Sequence, residues 1–261
     1  MLKITSAQNP RLKQAKALKN RRERDRSGDF VIEGYREISR AQKIEITTLF
    51  ICPQLFLGTN EKALIDAIAK NAEVIEVIPS LFEKLSFRDR PDGLFAIAKQ
   101  PSNDIKNLKL SANPFLLVAQ GIEKPGNLGS ILRSCDAAGV DGCIVADRCT
   151  DIYNPNVVRA SVGTLFTVPT LEMPSDELFA YLKKNNIAIV ATTPDTSDEY
   201  TQVDLTGPVA IAMGTEQVGL SQDWLDAASI KVRIPMMGAA DSLNVAAATT
   251  LMLYEVLRQR R

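Results

Sequence analysis

Three loops hold the residues whose types and spacing could do chemistry. The first, at 121–129, places Gly121, Pro125, Gly126 and Gly129 around Asn127 and runs into a stretch carrying Arg133. The second, at 213–221, brackets Glu216 between Gly214 and Gly219. The third, at 234–245, ends an apolar run at Pro235 and sets Ser242 and Asn244 on either side of Leu243. Glycines let a backbone approach a ligand closely. Asn and Ser cap helices or orient a substrate, and Arg or Glu can steer charge and protons. Each loop also has a purely structural reading as a capped turn. Asn127 and Ser242 or Asn244 serve as caps in that reading, and Glu216 is left unexplained.

The chain has 261 residues and no histidine. Ser-His-Asp and Cys-His catalysis, a His general base and His metal sites are therefore excluded. Four cysteines at 52, 135, 143 and 149 form no CxxC pair. They read as reduced thiols of a cytoplasmic protein, with no metal site. No apolar run is long enough to span a membrane. The polar, basic start of the chain does not read as a secretory signal.

Hydrophobic residues make up 45% and charged residues 24%, the balance of an ordinary globular chain. A net charge of zero hides an asymmetry. Residues 1–43 carry 12 Lys and Arg against 5 Asp and Glu, and the remainder carries 19 against 26. The excess sits on a segment starting at Pro10 that reads as one helix over 11–26, free of Gly and Pro. Arg11, Lys13, Lys16, Arg21, Arg22 and Arg24 on it could neutralise phosphates, or form an ordinary solvated face.

The elements that must position the loops follow from periodicity. Strands are predicted at 30–32, 46–51, 74–78 and 94–98, with helices at 36–43 and 61–70, giving a small α/β unit. A polar stretch over 100–114 reads as a linker. Beyond it, buried-type strands at 115–119, 143–146, 187–191, 209–213 and 230–234 alternate with helices around 128–138, at 176–185, 222–227 and 245–258. Continuous apolar strands alternating with helices imply a parallel sheet covered on both faces, and its ligands bind beyond the strand carboxyl ends. Leu128, Ile131, Leu132 and Cys135 form the apolar stripe of one helix, so Arg133 faces away from it. The glycine loops are neither GxGxxG nor Walker A.

In this order, the strings PGNLGSILR (125–133), MGTEQVGLS (213–221) and IPMMGAADSLNVAAA (234–248) resemble the three signature motifs of the SpoU, or TrmH, family of RNA 2′-O-ribose methyltransferases in the SPOUT class. The segment YNPNVVRASVG (153–163), which carries Arg159, is similar to the family's stretch between motifs. FVIEGYREISRA (30–41) and KLSFRDRPDGLFAIAK (84–99) more loosely resemble its small ribosomal-protein-like substrate domain.

The resemblance implies a division into an RNA-binding α/β domain over 1–103, a linker over 104–113, and a methyltransferase domain over 114–261 knotted as a deep trefoil. It implies S-adenosylmethionine as cofactor, held by Thr192, Gly214, Gly219, Ile234, Met236 and Leu243. It implies a homodimer in which Arg133 acts across the interface. Such a cofactor brings an activated methyl, so the reaction requires no metal or covalent intermediate. Guanidinium normally stays protonated, so Arg133 fits the role of holding phosphate and favouring the forming alkoxide. Asn127, Glu216, Ser242 and Asn244 would orient it and the ribose; Glu216 as base is the other reading. RNA contacts fall to the basic arm and Arg159. The expected substrate is 23S ribosomal RNA, with transfer RNA second. A non-catalytic RNA-binding factor on the same fold, or a nicotinamide oxidoreductase, are the alternatives; the absent GxGxxG opposes the latter.

Overall fold

The computed structural model describes residues 2–261, leaving Met1 outside. The chain divides into two compact units, one running to Ser102 and taking in Asp151–Phe166, the other comprising Asn103–Thr150 and Thr167–Arg261.

In the first unit the elements are β1 (Leu2–Ile4), α1 (Pro10–Ala17), α2 (Arg21–Ser27), β2 (Asp29–Glu33), α3 (Tyr35–Arg40), β3 (Ile46–Ile51), α4 (Glu61–Ile68), β4 (Glu73–Val77), α5 (Pro79–Leu85) and β5 (Leu94–Lys99). The sheet order is β1-β4-β3-β5-β2, parallel from β1 to β3 and antiparallel at β5. Phe50, Phe82 and Phe95 are buried in its core. The predicted strands are present. β1 and α5 were not expected, being too short to show a period.

The basic helix differs from its prediction. It breaks after Ala17, because Arg24 turns inward and its Nη1 donates to the carbonyls of Leu18 and Lys19 at 2.6 and 2.8 Å. The same guanidinium holds Asp151 Oδ2 through Nε at 2.8 Å and Nη2 at 2.5 Å. Arg24 is only 1% exposed. It is therefore a structural ion pair and not an RNA contact, a correction to the sequence-based expectation. The pair ties Asp151–Phe166 into this unit, and Phe30 stacks on Tyr153 and Phe166 at 4.7 and 5.9 Å. That segment contains α7 (Pro155–Ala160).

The second unit contains β6 (Phe115–Gln120), α6 (Pro125–Ala138), β7 (Gly142–Ala146), then, after α7, β8 (Thr170–Met173), α8 (Ser175–Lys184), β9 (Ala188–Thr192), β10 (Val209–Met213), α9 (Gln222–Ala227), β11 (Ile230–Val232) and α10 (Val245–Gln259). Its six strands form a wholly parallel sheet in the order β11-β9-β10-β6-β7-β8. β6, β7 and β10 are buried throughout, as continuous apolar runs require. Leu178, Leu182 and Trp224 cover one face. The polar stretch expected to be a linker packs here: Leu108 is buried in this core and Asn103 exchanges hydrogen bonds with the Glu172 backbone.

The register decides where the loops meet. Met213 on β10 pairs with Ala119 on β6, and β9 flanks β10 on the other side. All carboxyl ends lie at one edge, so the loops after β6, β9 and β10 start side by side. Among the described residues no helix is long and apolar enough to cross a membrane.

Candidate active site

Asn127 lies in the first turn of α6, after Pro125 at a position suited to starting a helix. Its Nδ2 donates to Glu216 Oε1 at 2.7 Å. The backbone amides of Glu123 and Lys124 donate to the same carboxylate, each at 3.3 Å. Asn127 Oδ1 in turn accepts from Asn244 Nδ2 at 3.1 Å. Asn244 Oδ1 accepts from Ala246 N at 3.0 Å and caps α10. One chain of hydrogen bonds thus joins all three loops, and Asn244 both caps α10 and belongs to that chain. Asn127 is not a cap; Lys124 occupies that position and Asn127 is spent on Glu216.

Burial is the largest single influence on Glu216 and pushes its carboxyl up. The hydrogen bonds from Asn127 and the surrounding amides outweigh it and hold the group below the ordinary carboxylate range. An ionised, hydrogen-bonded carboxylate of lowered pKa is a poor proton acceptor. Glu216 joins the loop after β10 to the start of α6 as a multiply hydrogen-bonded acceptor.

The second loop closes on itself through Thr215 N to Gly219 O (2.9 Å) and Gly219 N to Thr215 O (3.2 Å), with Gly219 at φ +72°. A Cβ on Gly214 would stand 2.0 Å from the Gly219 carbonyl carbon, so no side chain fits there.

These loops wall a cavity of about 520 Å³. Asn127, Thr192, Gly214, Glu216, Gly219, Ser242, Leu243 and Asn244 all line it. A smaller cavity of about 110 Å³ shares Thr192, Ser242 and Leu243 and adds Ile234 and Met236. Every residue predicted to hold a cofactor therefore lines one cavity or the other. Thr192 Oγ1 is buried and has no hydrogen-bond partner. Lys124 and Asp195 also line the larger cavity and were missed as candidates. Lys124 stands just before Pro125, where a helix start was legible but its outlook on the cavity was not.

Arg133 stands apart. It is exposed on α6, does not line either cavity, and makes no ion pair among the described residues. Among the described residues of one chain, no hydrogen bond joins it to Asn127, Glu216, Ser242 or Asn244. The other arm residues divide by partner: Arg11 pairs with Glu73 and Arg21 with Asp25, while Lys13, Arg22 and Arg159 are exposed and Lys16 is half-buried. Among the described residues no group of acidic, Cys or His side chains is placed to hold a metal.

A model of the SpoU rRNA methylase family matches residues 114–254, and one of the MRM3-like substrate binding domain matches 9–96. The 23S rRNA (uridine(2479)-2′-O)-methyltransferase of Streptomyces viridochromogenes is 34% identical over 268 residues, spanning 99% of this chain and 92% of its own. A solved RNA 2′-O ribose methyltransferase, 43% identical, superposes with a TM-score of 0.86 over 99% of both chains. The AdoMet-bound rRNA methyltransferase from Sinorhizobium meliloti, 31% identical, superposes with a TM-score of 0.89 over 98% of this chain and 97% of its own. Motifs, parallel sheet and joined loops agree with these matches: the chain belongs to the SpoU rRNA methylase family.

Proposed function

We propose that the protein transfers a methyl group from S-adenosylmethionine to a ribose 2′-hydroxyl of ribosomal RNA, with 23S rRNA favoured over transfer RNA. The observation that carries this reading is the Glu216–Asn127–Asn244 chain, which holds three loops around a cavity of ligand size. The Streptomyces relative named for 23S rRNA matches over nearly the whole chain, which supports the substrate class.

The residues present fit the cofactor. Thr192 Oγ1 is an orphaned polar atom of a residue that lines both cavities, and Gly214 lies so close to the Gly219–Leu220 backbone that only glycine fits at this point of the wall. Backbone groups of Gly214, Gly219, Ile234 and Leu243, with Thr192 and Met236, would hold the cofactor. When bound, it supplies an activated methyl electrophile.

The chain's own residues have three tasks. Glu216 and Asn127 keep the loops registered, so that nucleophile and electrophile meet in line. Ser242 and Asn244 lie at the cavity wall, where they can hydrogen-bond the ribose. Arg133 holds the neighbouring phosphate and favours the alkoxide as it forms, while the proton leaves to phosphate oxygen or water.

Arg133 does this across a homodimer. Its exposed, unpaired guanidinium on one chain supports that role. So does the outer face of α10, where Ala247, Leu251 and Tyr254 form an exposed apolar stripe at helical spacing. Lys13, Lys16, Arg22 and Arg159 serve as RNA phosphate contacts.

The test is transfer of labelled methyl from S-adenosylmethionine to total RNA of a strain lacking this protein, with Arg133→Ala alongside. A 2′-O-methyl blocks alkaline cleavage at the next phosphate. Label in alkali-resistant dinucleotides of 23S rRNA, lost with Arg133→Ala, is expected. Label in mononucleotides, or in no RNA, would overturn the reading.

A further inference from the structure

The first unit contains a second cavity, of about 450 Å³, walled by Tyr35, Arg36 and Glu37 of α3, by Leu57, Gly58 and Glu61, and by Arg88 and Asp92. Its acidic groups are unusual for their burial and their unfinished bonding. Glu37 and Glu61 are each 4% exposed. Glu61 Oε1 accepts from the amides of Leu57 and Gly58 at 3.2 and 2.9 Å, but Oε2 has no partner. Glu37 Oε1 pairs with Arg88 Nη2 at 2.7 Å, and its Oε2 has no partner either. Arg88 Nε is likewise orphaned. Asp92 is spent on the Tyr35 and Leu94 amides. Buried polar groups are nearly always satisfied, so two acceptors and one donor left over beside one cavity point to a missing ligand. Gly34 at φ +104° makes room for this wall, since a Cβ there would stand 2.5 Å from Glu37 Oε2.

From this juxtaposition we infer that the cavity is a pocket for one unstacked guanine of the RNA substrate, an assignment that rests on the RNA-directed function proposed above. The chemistry selects the base. Guanine presents two adjacent donors, N1–H and the N2 amine, on one edge with the O6 acceptor beside them. Adenine and cytosine place a single amine next to an acceptor nitrogen, and uracil has one N–H between two acceptors. Two carboxylate oxygens with a neighbouring guanidinium N–H complement only the guanine pattern. Both oxygens are shielded in the free protein, so the proposed binding requires each carboxylate to turn toward the cavity.

Leu57, 83% exposed at the rim, and the half-buried Tyr35 offer apolar surface to the base faces. Proteins that read unpaired RNA combine such faces with hydrogen bonds to base edges. A cationic side chain or a polyamine is a worse match, because the Arg88 donor would stay unmatched.

The test is titration of the full-length protein with guanosine 5′-monophosphate, inosine 5′-monophosphate, which lacks only the N2 amine, and adenosine 5′-monophosphate. Saturable binding of the guanine nucleotide is expected. The other two should bind about tenfold more weakly, the discrimination of a good paired contact. Glu61→Gln should equalise guanine and inosine nucleotides. Leu57→Ala, a surface change that cannot disturb folding, should weaken all binding several-fold.

The inference is overturned by equal affinity for the three nucleotides, by no saturable binding at millimolar concentration, by a guanine preference that survives Glu61→Gln, or by displacement of bound guanine nucleotide with arginine amide at equal affinity. Cofactor binding and methyl transfer, measured on the same protein, report separately on the proposed activity. Their absence with intact guanine binding would sink the activity alone.

Discussion

Asn127 and Glu216, 89 residues apart in sequence, are bonded at 2.7 Å, and through them the loop after β6 is locked to the loop after β10. Glu216 sits below its ordinary pKa because those bonds outweigh its burial. A carboxyl lowered in the folded state stabilises the fold fully above its unfolded value, about 4.3, and that contribution is lost as pH falls through the folded value. The difference in thermal midpoint between wild type and Glu216→Gln should therefore be full at pH 7 and shrink in acid below the ordinary carboxylate range. Melting curves across that range check this; a difference constant with pH would refute the anchoring role.

Arg133 touches neither cavity in its own chain, so its loss should spare the cofactor. Arg133→Ala is expected to lower methyl transfer by about 10²–10³-fold, the scale of removing one donor from a developing oxyanion. Calorimetry should find S-adenosylmethionine affinity unchanged. Arg133→Lys should recover little, since a point charge lacks the planar fork. In mixtures of Arg133→Ala with a second variant inactive through its cofactor site, activity should reappear if the residue acts across a dimer.

Thr192 and Gly214 make opposite predictions about stability. Thr192→Val removes a buried hydroxyl that has no partner in the free protein, so the fold should not be weakened. Cofactor affinity should fall several-fold, the value of one hydrogen bond of about 1 kcal/mol. Gly214→Ala drives a methyl into the Gly219 backbone and should cost about 1–3 kcal/mol while abolishing cofactor binding. Denaturant melts and calorimetry on both variants separate the two cases.

Two arginines of the basic arm, two positions apart, should behave as different kinds of residue. Arg24→Ala leaves Asp151 buried without its cation and should destabilise by about 3–5 kcal/mol. Arg22→Ala should leave stability within about 0.5 kcal/mol. It should instead lower the slope of RNA affinity against log salt by about 1, as one phosphate contact is lost. Chemical denaturation and salt-dependent binding report the two effects independently.

The sequence by itself determined a great deal here. β6 and β10 were legible because a strand buried on both faces must be apolar throughout, and α6 because Leu128, Ile131, Leu132 and Cys135 repeat at helical spacing. The three loops were legible because glycine and lone polar residues after apolar strands have few structural uses. Only the tertiary structure decided how they combine. Parallel register, not local preference, brings Asn127 to Glu216 and Asn244, and a side-chain bond across 89 residues leaves no trace in local periodicity. Arg24 shows the same limit from the other side. Arg22, two positions away, is a solvated cation, and nothing nearby in sequence announces Asp151. The burial of that one guanidinium breaks the predicted helix and carries residues 151–166 into the first unit, because a charge inside a protein must find its partner wherever the fold brings one.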